Sequence, residues 1–393
     1  MCGIAGIVRA SGPRPDDRAL VQAMIDRLRH RGPDGEGVVV SGPATLGHRR
    51  LAVIDLSERA AQPMRSPARA CWLSYNGEVY GADALRDELA SERPFVSRSD
   101  SEVVLAAYER WGEGCLERLN GMFAFAVWDE ERGRLFLARD RYGQKPLYTA
   151  RTPDGGLAFA SELGALRVLD ELDLSLDRAA VAKYLALDCF PSPTTIHRGV
   201  RALPPGCFLV WEEGRARVSR YHRRRYGGCA LGPEAAAEEL WRLLRASVRR
   251  RLVSDVPLGI FLSGGVDSSA VLAAAAAEAP AERLRTFSIG FREASFDESA
   301  VARRVAAHFG VRHAERVLEP GALLDLVPAA LAALDQPLAD ASLVPTYALC
   351  RFAREHVTCA LGGDGGDELF AGYDTFLAER LVALWLASPA ALR

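Results

Sequence analysis

Short apolar runs separated by turn residues fill the first half of this chain; in the second half such runs alternate with helical stretches. Residues 3–9 (Gly-Ile-Ala-Gly-Ile-Val-Arg) predict a short buried strand. A Pro-, Gly- and Asp-rich connection leads to a helix over 18–29, and His30-Arg31-Gly32-Pro33-Asp34-Gly35 predicts a tight turn. Residues 46–55 predict a strand carrying Arg49 and Arg50, followed by 73–80, where Asn76-Gly77 is a dipeptide that ordinarily closes a hairpin. Helices are expected over 82–92 and from 97–102 to near Trp111. Beyond Asn120, strands at 121–128 and 135–138 should pair across Glu131-Arg132-Gly133, and 146–148 with 157–160 across Pro153-Asp154-Gly155-Gly156. Several antiparallel strands with few helices predict a layered α+β domain.

Residues 161–232 predict a turn-rich bridge with one strand over 207–211, which puts the domain boundary between about 205 and 233. A helix over 233–251 follows, ending in Arg249-Arg250-Arg251, where cations suit the negative end of the helix dipole. Apolar strands at 256–262, 286–291, 313–317 and 359–361 alternate with helices, notably over 268–278 and from 297 to 309. That alternation predicts a parallel, doubly wound sheet.

The composition changes this picture little. Among 393 residues, 49% are hydrophobic and 25% charged, enough for two or three domains with cores of their own. Lys plus Arg number 49 against 51 for Asp plus Glu, a net charge of -2 that points to neither nucleic acid nor a membrane surface. Arg220 with Arg223, Arg224 and Arg225, and the run ending at Arg251, are expected on solvated faces. No basic n-region with an apolar core opens the chain, and no uncharged apolar run approaches about 18 residues. The eight cysteines form no C-x-x-C and no metal-ligand spacing with His, so no disulfide and a reducing cytoplasm are expected.

Chemistry concentrates in a few places. Once Met1 is removed, Cys2 carries a thiol beside a free α-amine, so one residue supplies a nucleophile and its base. Asn76 and Gly77 form a turn or else offer a side-chain and a backbone N–H to an oxyanion. Ser99 and Asp100 are helix caps or else polar groups of a pocket. In the second half, an apolar strand enters Ser263-Gly264-Gly265-Val266-Asp267-Ser268 and then an Ala-rich helix. Strand, loop and helix N-terminus bind phosphate through backbone N–H groups. It is not a Walker A loop, since no Gly-Lys-Ser/Thr is present. Asp267 there suits a magnesium ion bridging phosphates. A second loop, Gly362-Gly363-Asp364-Gly365-Gly366-Asp367-Glu368, is expected to face the same crevice.

Met-Cys-Gly-Ile-Ala-Gly, the turn at 30–35, His48-Arg49-Arg50-Leu51, Tyr75-Asn76-Gly77-Glu78-Val79-Tyr80, Ser99-Asp100-Ser101-Glu102 and Asn120-Gly121-Met122-Phe123 together resemble a class II glutamine amidotransferase domain, an N-terminal nucleophile hydrolase. The Ser263–Ser268 loop resembles the pyrophosphate loop of the ATP-pyrophosphatase superfamily. With Asp335-Gln336-Pro337, Asp340 and the acidic loop, it is similar to the synthetase domain of the glutamine-hydrolysing asparagine synthetases. The resemblance implies an αββα amidotransferase domain over 2–205, a linker over 206–232, and over 233–393 part of a doubly wound ATP-binding domain.

It implies roles as well. Cys2 would attack the glutamine amide, giving a thioester and ammonia, with its own α-amine shuttling the proton. Asn76 and Gly77 would form the oxyanion hole. Arg50 would pair with the glutamine carboxylate, Asp100 would hold the ammonium with Glu78 nearby, and Leu51, Ala52, Val53 and Ile54 would line the pocket. In the other domain the carboxylate of aspartate would attack ATP, giving an acyl-adenylate and pyrophosphate, and ammonia arriving inside the protein would displace AMP. Leu262 and Ile289 would meet adenine; Ser263, Gly264, Gly265, Val266, Asp267 and Ser268 would cradle pyrophosphate. Gly362 and Gly363 would approach the nucleotide, Asp364 would assist formation of the intermediate, and Asp267 and Asp367 would hold Mg²⁺. Glutamine, aspartate (or another carboxylate) and ATP are the expected partners, and a homodimer is left open.

The sequence departs from the family pattern in having Leu361 before the acidic loop, where Ser is common, and Asp364, where some members have Glu. It ends at Arg393, about one short helix beyond that loop, whereas family members usually continue, and its last Lys is Lys183. The expected activity is a glutamine-dependent, ATP-consuming amide ligase. The alternatives are a working glutaminase with a crippled synthetase half, a related enzyme with a different carboxylate acceptor, and a non-enzymatic nucleotide-binding module.

Overall fold

In the computed structural model, which describes residues 1–91, 93–293, 295 and 297–388, the chain forms two units. The first comprises Met1–Cys229 with Pro328–Ala341, the second Ala230–Val327 with Ser342–Arg393.

The first unit is built from two six-stranded antiparallel sheets. Its strands are β1 (Gly3–Val8), β2 (Gly35–Ser41), β3 (Ala44–Arg50), β4 (Met64–Arg65), β5 (Cys71–Val79), β6 (Gly121–Asp129), β7 (Arg134–Arg139), β8 (Tyr148–Arg151), β9 (Leu157–Ala160), β10 (Val200–Ala202), β11 (Cys207–Glu212) and β12 (Arg215–Arg220). One sheet has the order β10-β8-β9-β1-β3-β2 and the other β12-β11-β7-β6-β5-β4. Side chains alternate across a strand, so β1 serves two cores. Ile4 and Val8 pack between the sheets with Leu46, Ala124, Trp128 and Leu209. Ala5 and Ile7 pack outward on helix α1 (Asp17–Asp26) through Val21, Met24 and Ile25. On the far side, Leu73, Tyr75, Phe123 and Phe125 meet Val104, Leu105 and Tyr108 of a second helix. The result is helix, sheet, sheet, helix: the αββα layering the resemblance implied.

The remaining helices of this unit are α2 (Ala82–Leu89), α3 (Asp100–Trp111), which carries that outer layer, α4 (Cys115–Arg118), α5 (Leu163–Leu166) and α6 (Arg178–Leu187). The expected end of α2 at Glu92 lies outside the described residues.

Three local expectations are corrected. Asn76-Gly77 makes no turn: both sit inside β5, paired with Ala124 and Phe123 of β6. Gly77 answers to a close approach instead, because a Cβ there would fall 2.5 Å from the Met122 carbonyl. The strand expected over 46–55 stops at Arg50, and 51–57 is irregular, with Asp55 at φ 56°. Pro146 and Leu147 precede β8 rather than opening it, and β8 pairs with β9 across 152–156. Within 161–232 the chain also forms α5, α6 and β10, and the stretch expected as a linker supplies β11 and β12, whose buried residues Cys207 to Trp211 extend the second sheet.

The second unit holds a parallel sheet of β13 (Leu258–Phe261), β14 (Arg285–Phe291), β15 (Arg312–Leu318) and β16 (Cys359–Leu361), ordered β15-β14-β13-β16. On one face pack α7 (Pro233–Arg251), α8 (Val266–Ala276) and α9 (Ser299–Phe309), through Val248, Leu272, Ala302 and Ala306. After α10 (Pro320–Ala332), α11 (Leu343–Arg354) covers the other face, with Phe352 against Phe287. Helices α12 (Gly366–Phe370) and α13 (Asp374–Ala387) follow β16. The strand order turns back between β13 and β16, the switch point where a doubly wound sheet opens a crevice at its carboxyl ends. Among the described residues no helix is long and apolar enough to cross a membrane.

Candidate active site

Cys2 lies just before β1, a strand held on both sides by β3 and β9, so its backbone cannot drift. Arg31 Nε donates to the Cys2 carbonyl at 2.9 Å. The Leu51 N–H points at Cys2 Sγ from 3.4 Å, and the thiol faces the Leu51 carbonyl at 3.7 Å. Burial pushes the thiol above its ordinary pKa; the Leu51 N–H and the N-terminal charge oppose that, and Asp100 reinforces it. The side chain therefore rests as a thiol, and any attack by it needs a base to take its proton.

Across the sandwich, β5 brings Asn76 and Gly77 to the same unit as Cys2. Asn76 is 1% exposed, and its Nδ2 is buried without a hydrogen-bond partner among the described residues. A buried amide donor left unpaired costs stability, which is tolerated where a substrate will complete the bond. Asp100, at the start of α3 after the capping Ser99, accepts from the Tyr75 hydroxyl at 2.7 Å and from the Val79 N–H at 2.8 Å. Burial raises its carboxyl above the usual range in spite of those two bonds. His48 Nε2 donates to the Tyr75 carbonyl at 3.0 Å, tying β3 to β5, and burial holds its pKa down at about 4, so it is neutral at pH 7. Glu78 follows Gly77 on β5 and is half-buried.

Arg50, at the end of β3, donates to the Ser57 carbonyl at 2.9 Å and to the Asp55 carbonyl. Asp34 accepts the Ala52 N–H at 2.9 Å. Asp55 in turn accepts Ser57 Oγ at 2.6 Å and the Arg98 N–H at 2.7 Å. The loop carrying Leu51, Ala52, Val53 and Ile54 is thus fixed beside Cys2 with Arg50 folded over it.

Sequence reasoning passed over four residues here. Arg31 spans the Cys2 carbonyl and Glu162, which it meets through Nη1 at 2.7 Å, while its Nη2 is buried without a partner among the described residues. Glu162 also bonds His30 at 3.0 Å. Tyr75 is bound to Asp100. Lys145 is buried, with Nζ 3.0 Å from Met1 Sδ, and burial pushes its pKa down, helped by Arg31. The signal for Arg31 was present, as an Arg inside a Gly/Pro turn that needs no Arg for its geometry. Nothing local marks Glu162 or Lys145.

In the second unit, Gly264 takes φ 89°, open to glycine alone without strain, and lets the chain turn into α8. The Ser263 hydroxyl accepts the Gly265 N–H at 3.2 Å and lies 3.0 Å from Ser268 Oγ, which tightens the loop around the first turn of α8. Val266 is exposed, and Leu262 donates its N–H to Phe287 at 2.9 Å. Ile289 lies on the neighbouring β14. The acidic loop presses onto this one: a Cβ on Gly363 would fall 3.0 Å from the Ser268 nitrogen, and one on Gly366 would collide with the Asp267 carboxylate at 2.2 Å. The Asp364 carboxylate folds back over Gly362, 2.5 Å from where a Cβ would stand, and Asp367 opens α12 beside Gly366. Exposed amides at a helix start, small residues that clear a path to them and adjoining carboxylates fit a magnesium-bearing polyphosphate. Among the described residues no group of three or more His, Cys, Asp and Glu side chains is arranged to hold a metal.

Comparison with known proteins places the chain against two family models: a glutamine amidotransferase domain over residues 1–222 and asparagine synthase over 239–392. A putative glutamine-hydrolysing asparagine synthetase of Mycobacterium tuberculosis (strain ATCC 25618 / H37Rv) is 39% identical over 401 residues, covering 96% of this chain and 61% of the relative. Asparagine synthetase 1 of Bacillus subtilis (strain 168), also described as glutamine-hydrolysing, is 35% identical, covering 96% and 59%. A putative asparagine synthetase 2 of Methanocaldococcus jannaschii is 33% identical, covering 96% and 76%. The chain spans about three fifths of the length of the first two.

Proposed function

The chain belongs to the glutamine-hydrolysing asparagine synthetase family, and from that premise we propose that its two units divide one amide-forming reaction between them. The first unit hydrolyses glutamine. The Cys2 thiol gives its proton to the α-amine exposed when Met1 is removed and attacks the side-chain amide carbon. Asn76 Nδ2 and the Gly77 N–H receive the oxyanion; ammonia leaves and water cleaves the thioester to glutamate. Asp100 and Glu78 take the substrate ammonium and Arg50 its carboxylate, with residues 51–54 as the wall. The observation that carries this reading is the buried amide of Asn76, whose Nδ2 has no partner among the described residues, in the unit that begins with the Cys2 thiol.

The second unit activates a carboxylate, aspartate in the first instance, on ATP. Loop 263–268 holds the pyrophosphate, with Leu262 and Ile289 toward the base; Gly362 and Gly363 give it room, and Asp364 attends the acyl-adenylate. Asp267 and Asp367 would hold Mg²⁺, which would neutralise phosphate charge there.

The test is direct. The purified chain with glutamine, aspartate and Mg-ATP should yield glutamate, AMP and pyrophosphate. Glutamate without AMP selects the glutaminase-only reading. AMP formed with another carboxylate in place of aspartate changes the acceptor alone. Asp267→Ala should remove AMP and pyrophosphate release and leave glutamate release in place; AMP release at the parent rate would refute the metal assignment.

A pH profile gives a further expectation. Because burial keeps the thiol protonated, activity needs the α-amine neutral, so kcat/KM for glutamine should fall as pH drops below the amine's ordinary pKa of about 8. A rate that holds level from pH 8 down to pH 5 contradicts the amine's role.

A further inference from the structure

Helix α5 begins without a cap of its own: Glu162, at its N-cap position, makes no capping bond. Its first amides are taken by a residue far along the chain. Asp335 Oδ1 accepts the Gly164 N–H at 2.7 Å, and Oδ2 accepts that of Leu163, a residue 1% exposed. Arg167 Nη2 donates back to the Asp335 carbonyl at 3.3 Å, and the Ile196 N–H donates to Gln336 Oε1 at 3.2 Å.

The residues that Asp335 grips lead to Cys2 by two routes. Ser161 brackets Ile4: the Ile4 N–H donates to Ser161 Oγ at 3.0 Å, and the Ser161 N–H donates to the Ile4 carbonyl at 2.8 Å. Glu162 holds Arg31, and Arg31 holds the Cys2 carbonyl. Four consecutive residues, 161–164, therefore hold β1 at Ile4, reach the Cys2 carbonyl through Glu162 and Arg31, and give their last two amides to Asp335.

We propose that Asp335 is a positioning residue for Cys2, which sets the rate of thioester formation through Glu162 and Arg31. Asp335 belongs to Pro328–Ala341, a stretch that packs in the first unit although the chain before and after it belongs to the second. The activity of Cys2 thereby depends on a segment whose two ends are anchored in the ATP-binding unit. The proposal rests on Cys2 being the glutaminase nucleophile.

The experiment compares Asp335→Ala, Asp335→Asn and Glu162→Gln, singly and with Asp335→Ala and Glu162→Gln combined, in the full chain. For each it measures glutamate release and the rate at which iodoacetamide alkylates Cys2, followed on the N-terminal peptide by mass spectrometry. Loss of positioning should lower kcat by ~10-fold with KM for glutamine little changed, since a small misplacement of a reacting group is felt in the chemical step. The alkylation rate should change in Asp335→Ala and Glu162→Gln alike. The Asn variant, which keeps one acceptor oxygen, should fall between. The double variant should be no worse than either single one, because both cut the same connection. Parent kcat and alkylation rate in Asp335→Ala, or additive losses in the double variant, would overturn the proposal. If Asp335→Ala does not fold, Asp335→Asn decides by the same two readouts. If the parent chain itself releases no glutamate, the glutaminase reading fails, and the alkylation series still decides whether Asp335 governs Cys2.

Discussion

Cys2→Ala is expected to lower glutamate release from glutamine by at least about 10³-fold, the scale on which removal of a nucleophile is felt when a donor site and binding groups remain. The thiol faces Leu51, and its carbonyl is held by Arg31. Of the other cysteines in the first unit, Cys71, Cys115 and Cys207 are buried in the apolar clusters, and Cys189 and Cys229 are exposed. Cys2→Ser is the stricter variant, since it keeps the shape and exchanges only sulfur for oxygen. Glutamate measured against time is the readout, and AMP formation with ammonium in place of glutamine should survive in both variants if the second unit is active. Glutamate release persisting in Cys2→Ala would remove the nucleophile from the account.

Asn76→Ala should cost about 10²–10³-fold in kcat, as loss of one oxyanion donor does elsewhere, with a smaller effect on KM. Its effect on folding should run the other way from that of most buried polar truncations. The Nδ2 group has no partner among the described residues, so its removal forfeits no donor bond and relieves an unsatisfied group, leaving only a small cavity. Reduced turnover with thermal stability near that of the parent is the expected pair of results. Parent kcat in Asn76→Ala would strike the amide from the oxyanion site.

Much of this was visible in the residue pattern because strands buried on both faces need apolar residues at every position. That is why β1 and β6 could be marked without a structure. The dipeptide Asn76-Gly77 left a turn and an oxyanion site both open for a local reason. Its turn preference is a property of the isolated segment, and β5 overrides it by pairing along its whole length with β6. Arg50 ends β3 because its guanidinium satisfies carbonyls of the next loop, a tertiary choice with no periodic trace. The contacts of Glu162 and Asp335 stayed hidden for the same cause. Their meaning lies in partners 131 and 171 positions away in the chain, and no window of sequence contains both members of either pair.

The pairing of β1 with β9 also dictates an order of events at the ribosome. Val8 meets Leu157, so the strand behind the nucleophile waits for about 150 further residues before its sheet can close, ~10–30 s at ordinary elongation rates. Until then β1 can pair only with β3, and one of its edges stays open. The cut between Met1 and Cys2 that the proposed role of the thiol requires is easiest in that interval, and a chain that lagged would have to be processed with β1 already clamped between both neighbours.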